Sequence, residues 1–112
     1  MRKARGERVV LVSCGSLREA RRVARRVVDR RLAACVNILR VPVESVYRWK
    51  AKVETAREVL LLIKTDQSSL RALEQAVREL HSYDVPEFIA LPITEGSRAY
   101  LGWLAGCVRR ER

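Results

Sequence analysis

Histidine is almost missing from these 112 residues: there is one, His81, beside one methionine and one phenylalanine. A single imidazole is thin support for an enzyme that works through a nucleophile and its base. Cysteine is limited to Cys14, Cys35 and Cys107, odd in number, widely spaced and without a Cys-x-x-Cys pair. That pattern argues against a disulfide framework and a structural zinc site, and in favour of free thiols. No apolar run nears the roughly 20 residues that span a bilayer. The run Val9 to Val12, behind the basic start Met1-Arg-Lys-Ala-Arg-Gly, is too short for the core of a secretory signal. Glycine-rich phosphate loops are absent as well. A cytoplasmic protein with no membrane partner is the expectation.

What the chain does have is arginine and apolar residues. The formal net charge is +10 and 48% of residues are hydrophobic, enough for one domain over residues 1–112 to bury its own core. A basic domain invites a nucleic-acid reading. Here the charge lies on one helix face (Arg18, Arg21, Arg22, Arg25, Arg26) and at the termini (Arg2, Lys3, Arg5; Arg109, Arg110, Arg112), as on solvated faces and tails. Residues 1–6 read as a flexible basic tail.

Hydrophobic periodicity orders the elements. Arg8 to Ser13 reads as a buried strand ended by Cys14-Gly15. Ser16-x-x-Glu19 is a capping box opening a helix with Leu17, Ala20, Ala24, Val27 and Val28 on one face. A second strand runs from about Ala33 to Trp49, with Pro42 marking an edge or bulge. After a turn at Lys50-Ala51-Lys52, a third strand spans about Val53 to Thr65. A helix with Leu70, Leu73, Val77 and Leu80 follows, then a strand from Pro86 to Ile93, a loop at Thr94 to Ser97 and a helix from Arg98 to Arg110. The order β-α-β-β-α-β plus a terminal helix predicts an α+β, ferredoxin-like sheet with an unusually long hairpin. Such a projecting hairpin calls for a partner subunit to cover it.

Three chemistries compete for the stretch His81-Ser-Tyr-Asp-Val-Pro-Glu87. Cys14, at the carboxyl end of the first strand, and His81 suit a soft or borderline ion such as copper or zinc. Two ligands do not complete a site, so Asp84, Glu87, water or a neighbouring subunit would supply the rest. The structural alternative is that His81 caps the end of its helix. Base stacking on RNA needs aromatics on the first and third strands, and Val9-Val-Leu-Val12 and Val59-Leu-Leu-Leu-Ile63 have none. No specific nucleic acid is expected. A Cys14–His81 nucleophile pair assisted by Lys64 or Tyr83 lacks any surrounding catalytic motif, so no enzyme is expected. Tyr47, Trp49, Tyr100 and Trp103 read as interface or core anchors rather than a ligand cage.

Five segments then carry a resemblance. Leu32-Ala-Ala-Cys-Val-Asn-Ile38, Ser45-Val-Tyr-Arg-Trp-Lys50 with Glu54, Leu62-Ile-Lys-Thr65, His81 to Glu87 and Tyr100-Leu-Gly-Trp103 together resemble the CutA family of divalent-cation tolerance proteins, in order and over nearly the whole chain. The resemblance implies a cytoplasmic homotrimer, similar in architecture to the PII-type signal transducers, whose long hairpins pair across subunits. It implies copper or another divalent ion, bound weakly and not as an obligatory cofactor, at Cys14 and His81. It also implies a pocket between subunits lined by Tyr47, Trp49, Glu54, Lys64, Tyr83 and Glu87. The alternative function is that of a PII-like scaffold taking a small anionic ligand or a protein partner in those clefts. Three positions depart from the family pattern: Ser82 stands for a proline, Leu80 for a second histidine found in some members, and Ala51 for a glycine at the hairpin tip.

Overall fold

The computed structural model describes residues 1–108. Its order is β1 (Arg2–Lys3), β2 (Glu7–Cys14), α1 (Leu17–Asp29), β3 (Cys35–Trp49), β4 (Lys52–Asp66), α2 (Leu70–Leu80), β5 (Ile89–Pro92), β6 (Glu95–Gly96) and α3 (Arg98–Cys107), with a short 3-10 turn at Gln67–Ser69 before α2. Four strands form an antiparallel sheet in the order β3-β4-β2-β5. The expected ferredoxin-like topology is what forms, with the sequence's first and third long strands at the centre.

Alternation along the central strands divides the sheet into two faces. Val10, Val12 and Cys14 of β2 and Val59, Leu61 and Ile63 of β4 point to one side. There they meet Ala20, Val23 and Val27 of α1 and Leu73, Ala76 and Val77 of α2. Val23 takes the place on the buried face of α1 that the spacing gave to Val28, which turns outward at 39% exposure. Helix α3 packs elsewhere: Leu104 and Val108 close on Ala34, with Ile93 and Cys107 beside them. The helix ends at Cys107, short of the expected Arg110, with Val108 extended as its C-cap; Arg109 and Arg110 lie outside the described residues.

The other sheet face is left largely open. Leu39, Ile89 and Leu91 are 38%, 48% and 45% exposed, and Val9, Leu11, Leu60 and Leu62 are half-buried. Beyond the last β2–β4 pair, Cys14 with Val59, the 15-residue strands β3 and β4 continue as a two-stranded ribbon. Val43, which follows Pro42, is paired with Glu58, two residues from Leu60, the partner of Leu39. So Pro42 sits in an irregularity of an edge strand, where a missing N–H costs no ladder bond. The turn is two residues long, Lys50 and Ala51, both at positive φ (49° and 68°), as the twist of a tight hairpin demands.

The start of the chain corrects the expectation of a flexible tail. Arg2 and Lys3 pair with Gly96 and Glu95, turning the segment read as a loop into β6. The buried carboxylate of Glu7, 2% exposed, is the physical reason. Such a group needs donors, and it draws them from Arg2 Nη2 at 3.1 Å and the backbone N–H of Arg5. Burial pushes the Glu7 carboxyl up, but these donors outweigh it and hold the group below its ordinary value.

Candidate metal centre at the end of the first long strand

Three elements converge at the carboxyl end of β2. The strand delivers Cys14 fully buried. Ser16, extended, caps α1 by accepting the Glu19 N–H at 3.1 Å. The first half of the expected capping box thus forms, but the second does not. The Glu19 carboxylate turns instead toward the end of α2, where its Oε1 accepts the Ser82 N–H at 2.8 Å. That places Glu19, 8% exposed, beside Cys14 and His81.

His81 is the C-cap residue of α2, as the structural alternative had it, but its imidazole bonds away from the helix end. Its Nε2 lies 2.7 Å from the Ser13 carbonyl oxygen, and its Nδ1 lies 3.1 Å from the Tyr83 backbone N. A carbonyl only accepts and a backbone N–H only donates, so the hydrogen is on Nε2 and the lone pair on Nδ1. The end of α2 is served instead by Arg22 of α1, whose Nη2 donates to the Leu80 carbonyl at 2.9 Å. Tyr83 packs its ring on that of His81, centroids 4.6 Å apart, and its hydroxyl donates to Glu58 Oε2 at 3.0 Å.

Electrostatics follow from this crowding. Desolvation, reinforced by the carboxylates of Glu19 and Glu58, pushes the Cys14 thiol up to about 12. Burial and the bond to Glu58 push the Tyr83 hydroxyl up to about 12. Burial, then the nearby Glu58, raises Glu87. Each shift disfavours adding negative charge to a region already holding buried carboxylates. A cation would reverse that balance and take the thiol as thiolate.

The donor set fits such an ion. One ligand atom each from Cys14, Glu19 and His81 lies within 4.8 Å of the other two, all three residues buried. Among the described residues Glu19 Oε2 is a buried side-chain oxygen with no hydrogen-bond partner. Sulfur, imidazole nitrogen and carboxylate oxygen together suit borderline divalent ions rather than magnesium or calcium.

Residues 8–107 match the family described as CutA1 divalent ion tolerance protein. The chain belongs to the CutA1 family. Over 99 residues it is 50% identical to the divalent-cation tolerance protein CutA of Thermus thermophilus, covering 88% of this chain and 94% of that one. It is also 50% identical over 102 residues to the chloroplastic protein CutA of Arabidopsis thaliana, covering 90% of this chain but only 55% of that relative's length. The crystal structure of CutA1 from Oryza sativa superposes with a TM-score of 0.91 at 44% identity, covering 97% of this chain and 98% of that one. The CutA1 fold expected from the five matching segments is therefore the fold of this chain.

Within this CutA1 protomer the remaining residues named from the sequence separate into groups. Tyr83 and Glu87 surround Glu58, with Tyr47 close enough to act on the Tyr83 hydroxyl. Glu54 is paired across the ribbon with Tyr47. Trp49 is at the hairpin tip under the Lys50 ammonium, 5.9 Å from its ring centroid. Lys64 is away from the ribbon, in the four-stranded sheet between Val9 and Cys35, bonded to Asn37 Oδ1 and 3.5 Å from Cys35 Sγ. Tyr100, whose hydroxyl is 3.5 Å from that sulfur, stacks on Trp103 with centroids 5.5 Å apart. Both are close to half exposed, so neither anchors the core of the protomer.

Two residues at the corner were invisible as site residues. Glu19 was absorbed by the capping-box pattern, and its position five residues after Cys14 is the signal that could have found it. Glu58 stands between Arg57 and Val59 like any surface carboxylate, yet it is 8% exposed and accepts the Tyr83 hydroxyl.

Proposed function

We propose that this protein is a homotrimeric, non-enzymatic divalent-cation tolerance protein of the cytoplasm that binds copper or another divalent ion through Cys14 and His81. The observation that carries the metal reading is the buried meeting of a thiol, an imidazole and a carboxylate within 4.8 Å at a corner built by three elements. The names of the relatives agree with it: divalent-cation tolerance is what the Thermus thermophilus protein is named for. When bound, the ion would draw Cys14 on as thiolate; His81 is held for the task by the Ser13 carbonyl, and helix and strand together exclude water. None of these residues sits in a catalytic arrangement, and the ion is a ligand to be held rather than an obligatory cofactor.

Assembly is supported by surface the protomer leaves bare. The ribbon shows large apolar side chains on both faces: Val46 and Val53 on one, at 65% and 64% exposure, Tyr47 and Trp49 on the other. The open sheet face adds Leu39, Ile89 and Leu91. Patches of this kind in soluble proteins mark interfaces. A small anionic ligand in the clefts is less favoured, because Lys64, the cation it would use, is already held by Asn37 and Cys35.

Titration calorimetry of Cu2+ and Zn2+ into the wild type and the Cys14→Ala/His81→Ala double variant tests the metal reading. The expected result is a loss of affinity of about 100-fold or more in the variant. Equal affinities would end it.

A further inference from the structure

The unpartnered oxygen of Glu19 has more to say about that centre. We propose that Glu19 is its third protein ligand, making it a Cys–Glu–His site built for a borderline divalent cation such as Zn2+, Co2+ or Cu2+. This inference rests on the reading of Cys14 and His81 as ligands and names what that reading leaves open.

The two oxygens of this carboxylate are treated unequally. Oε1 accepts the Ser82 N–H at 2.8 Å and lies 3.9 Å from Arg22 Nη2. Oε2 is buried with no hydrogen-bond partner and lies 3.9 Å from His81 Nδ1. That nitrogen offers no hydrogen to Oε2, since its lone pair accepts the Tyr83 N–H at 3.1 Å. Oε2 is therefore the acceptor left unmet in this buried gap, an arrangement that costs free energy until something positive enters. The third atom of the cluster, Cys14 Sγ, completes a triangle of sulfur, nitrogen and oxygen within 4.8 Å.

The surroundings are those of a held ligand set. Metal-bound imidazoles nearly always donate the other ring N–H to a carbonyl or carboxylate. His81 does so to the Ser13 carbonyl at 2.7 Å, so Nδ1 is the ligating atom, its lone pair exchanging the Tyr83 N–H for the ion. The carboxylate is oriented in the same way, through the Ser82 N–H on Oε1. Cys14, Glu19 and His81 come from the end of a strand, the first turn of one helix and the end of another, so no mobile loop has to order for them to meet. The ligand types choose the ion: a thiolate excludes magnesium and calcium, while a carboxylate adds nothing for a purely soft ion such as Ag+.

Glu19→Gln is the decisive change, because Gln keeps the Oε1 acceptor and the side-chain shape while removing the charge and the anionic second oxygen. Zn2+ and Co2+ affinities would be measured by chelator competition and Ag+ affinity by calorimetry, on the full chain, beside Cys14→Ser and His81→Ala. The expected result is a loss of at least about 10-fold for Zn2+ and Co2+ in Glu19→Gln, with Ag+ changed by less than about twofold. The visible spectrum of bound Co2+ should change with it. If Glu19→Gln binds Zn2+ and Co2+ as tightly as wild type while Cys14→Ser and His81→Ala do not, the third ligand is not Glu19 and the two-residue reading stands. If all three variants bind as wild type does, both fall. A variant that merely loosened the fold would weaken Ag+ along with the rest, and that result too would overturn the assignment.

Discussion

His81 Nε2 donates to the Ser13 carbonyl oxygen across 2.7 Å, fastening the end of α2 to the end of β2 over a separation of 68 residues. Both groups are buried, and removing the imidazole takes from the Ser13 oxygen the donor it has in the fold. Losing one partner of such a pair costs the desolvation of the other, about 1–3 kcal/mol, and an Ala at this place also leaves a cavity. His81→Ala should therefore be less stable by roughly 2–4 kcal/mol in metal-free urea unfolding. An unchanged midpoint would mean that the bond holds nothing in place and that the imidazole is kept for a ligand alone.

The hairpin tip predicts a gain. Ala51 is held at φ 68°, following Lys50 at φ 49°, a region that costs a residue with a Cβ about 1 kcal/mol or more. Glycine adopts it freely, but loses more entropy on folding, so the two effects partly offset. Ala51→Gly should stabilise the protein by about 0.5–1 kcal/mol, seen as a higher midpoint in thermal unfolding. A lower midpoint would show that the turn is not strained at this position.

At high pH the corner should loosen in a defined window. The Tyr83 hydroxyl, which burial and Glu58 push up to about 12 from an ordinary value of 10.0, binds its proton more tightly in the folded than in the unfolded chain. Its contribution is thus complete below about pH 10 and is lost as pH rises toward about 12. Stability should fall across that window, and less steeply in Tyr83→Phe, which has no proton to lose there. Parallel slopes for the two proteins in alkaline denaturation would contradict the bond to Glu58 as the cause. Tyr100, raised to about 12 by its contact with Cys35, titrates in both proteins and cancels in the comparison.

The long elements were legible because their signals are local. Periodicity placed β2, β4, α1 and α2 to within a few residues, and Pro42 marked the irregular edge strand where it lies. What escaped depends on groups far apart in sequence. β1 and β6 are two residues each and exist because the two ends of the chain meet. Arg22, one basic residue among five on a helix face, is set apart only by the Leu80 carbonyl it reaches. Glu19 fitted a local motif so well that its carboxylate seemed explained, although the pull of Ser82 and the space beside His81 turn it inward. At the metal centre, Cys14 and His81 were visible as residue types, while their third companion needed the folded corner.

The ribbon offers the last prediction. Val53 is paired with Arg48 across the strands, with Val46 on the same face, and among the described residues both valines stay about two-thirds exposed, at 64% and 65%. If three copies assemble, these valines lie against neighbouring chains. Sedimentation equilibrium should then give three times the 12.8 kDa chain mass. Val53→Lys would put into that contact a charge that the facing Arg48 cannot neutralise, at a cost of several kcal/mol per buried group. The variant should dissociate at concentrations at least about 100-fold higher than wild type does, while a folded protomer persists by circular dichroism. The core of that protomer, around Leu61, Ile63 and Leu73, does not involve Val53. A variant that stays trimeric would place the subunit contact elsewhere, on the open sheet face of Leu39, Ile89 and Leu91.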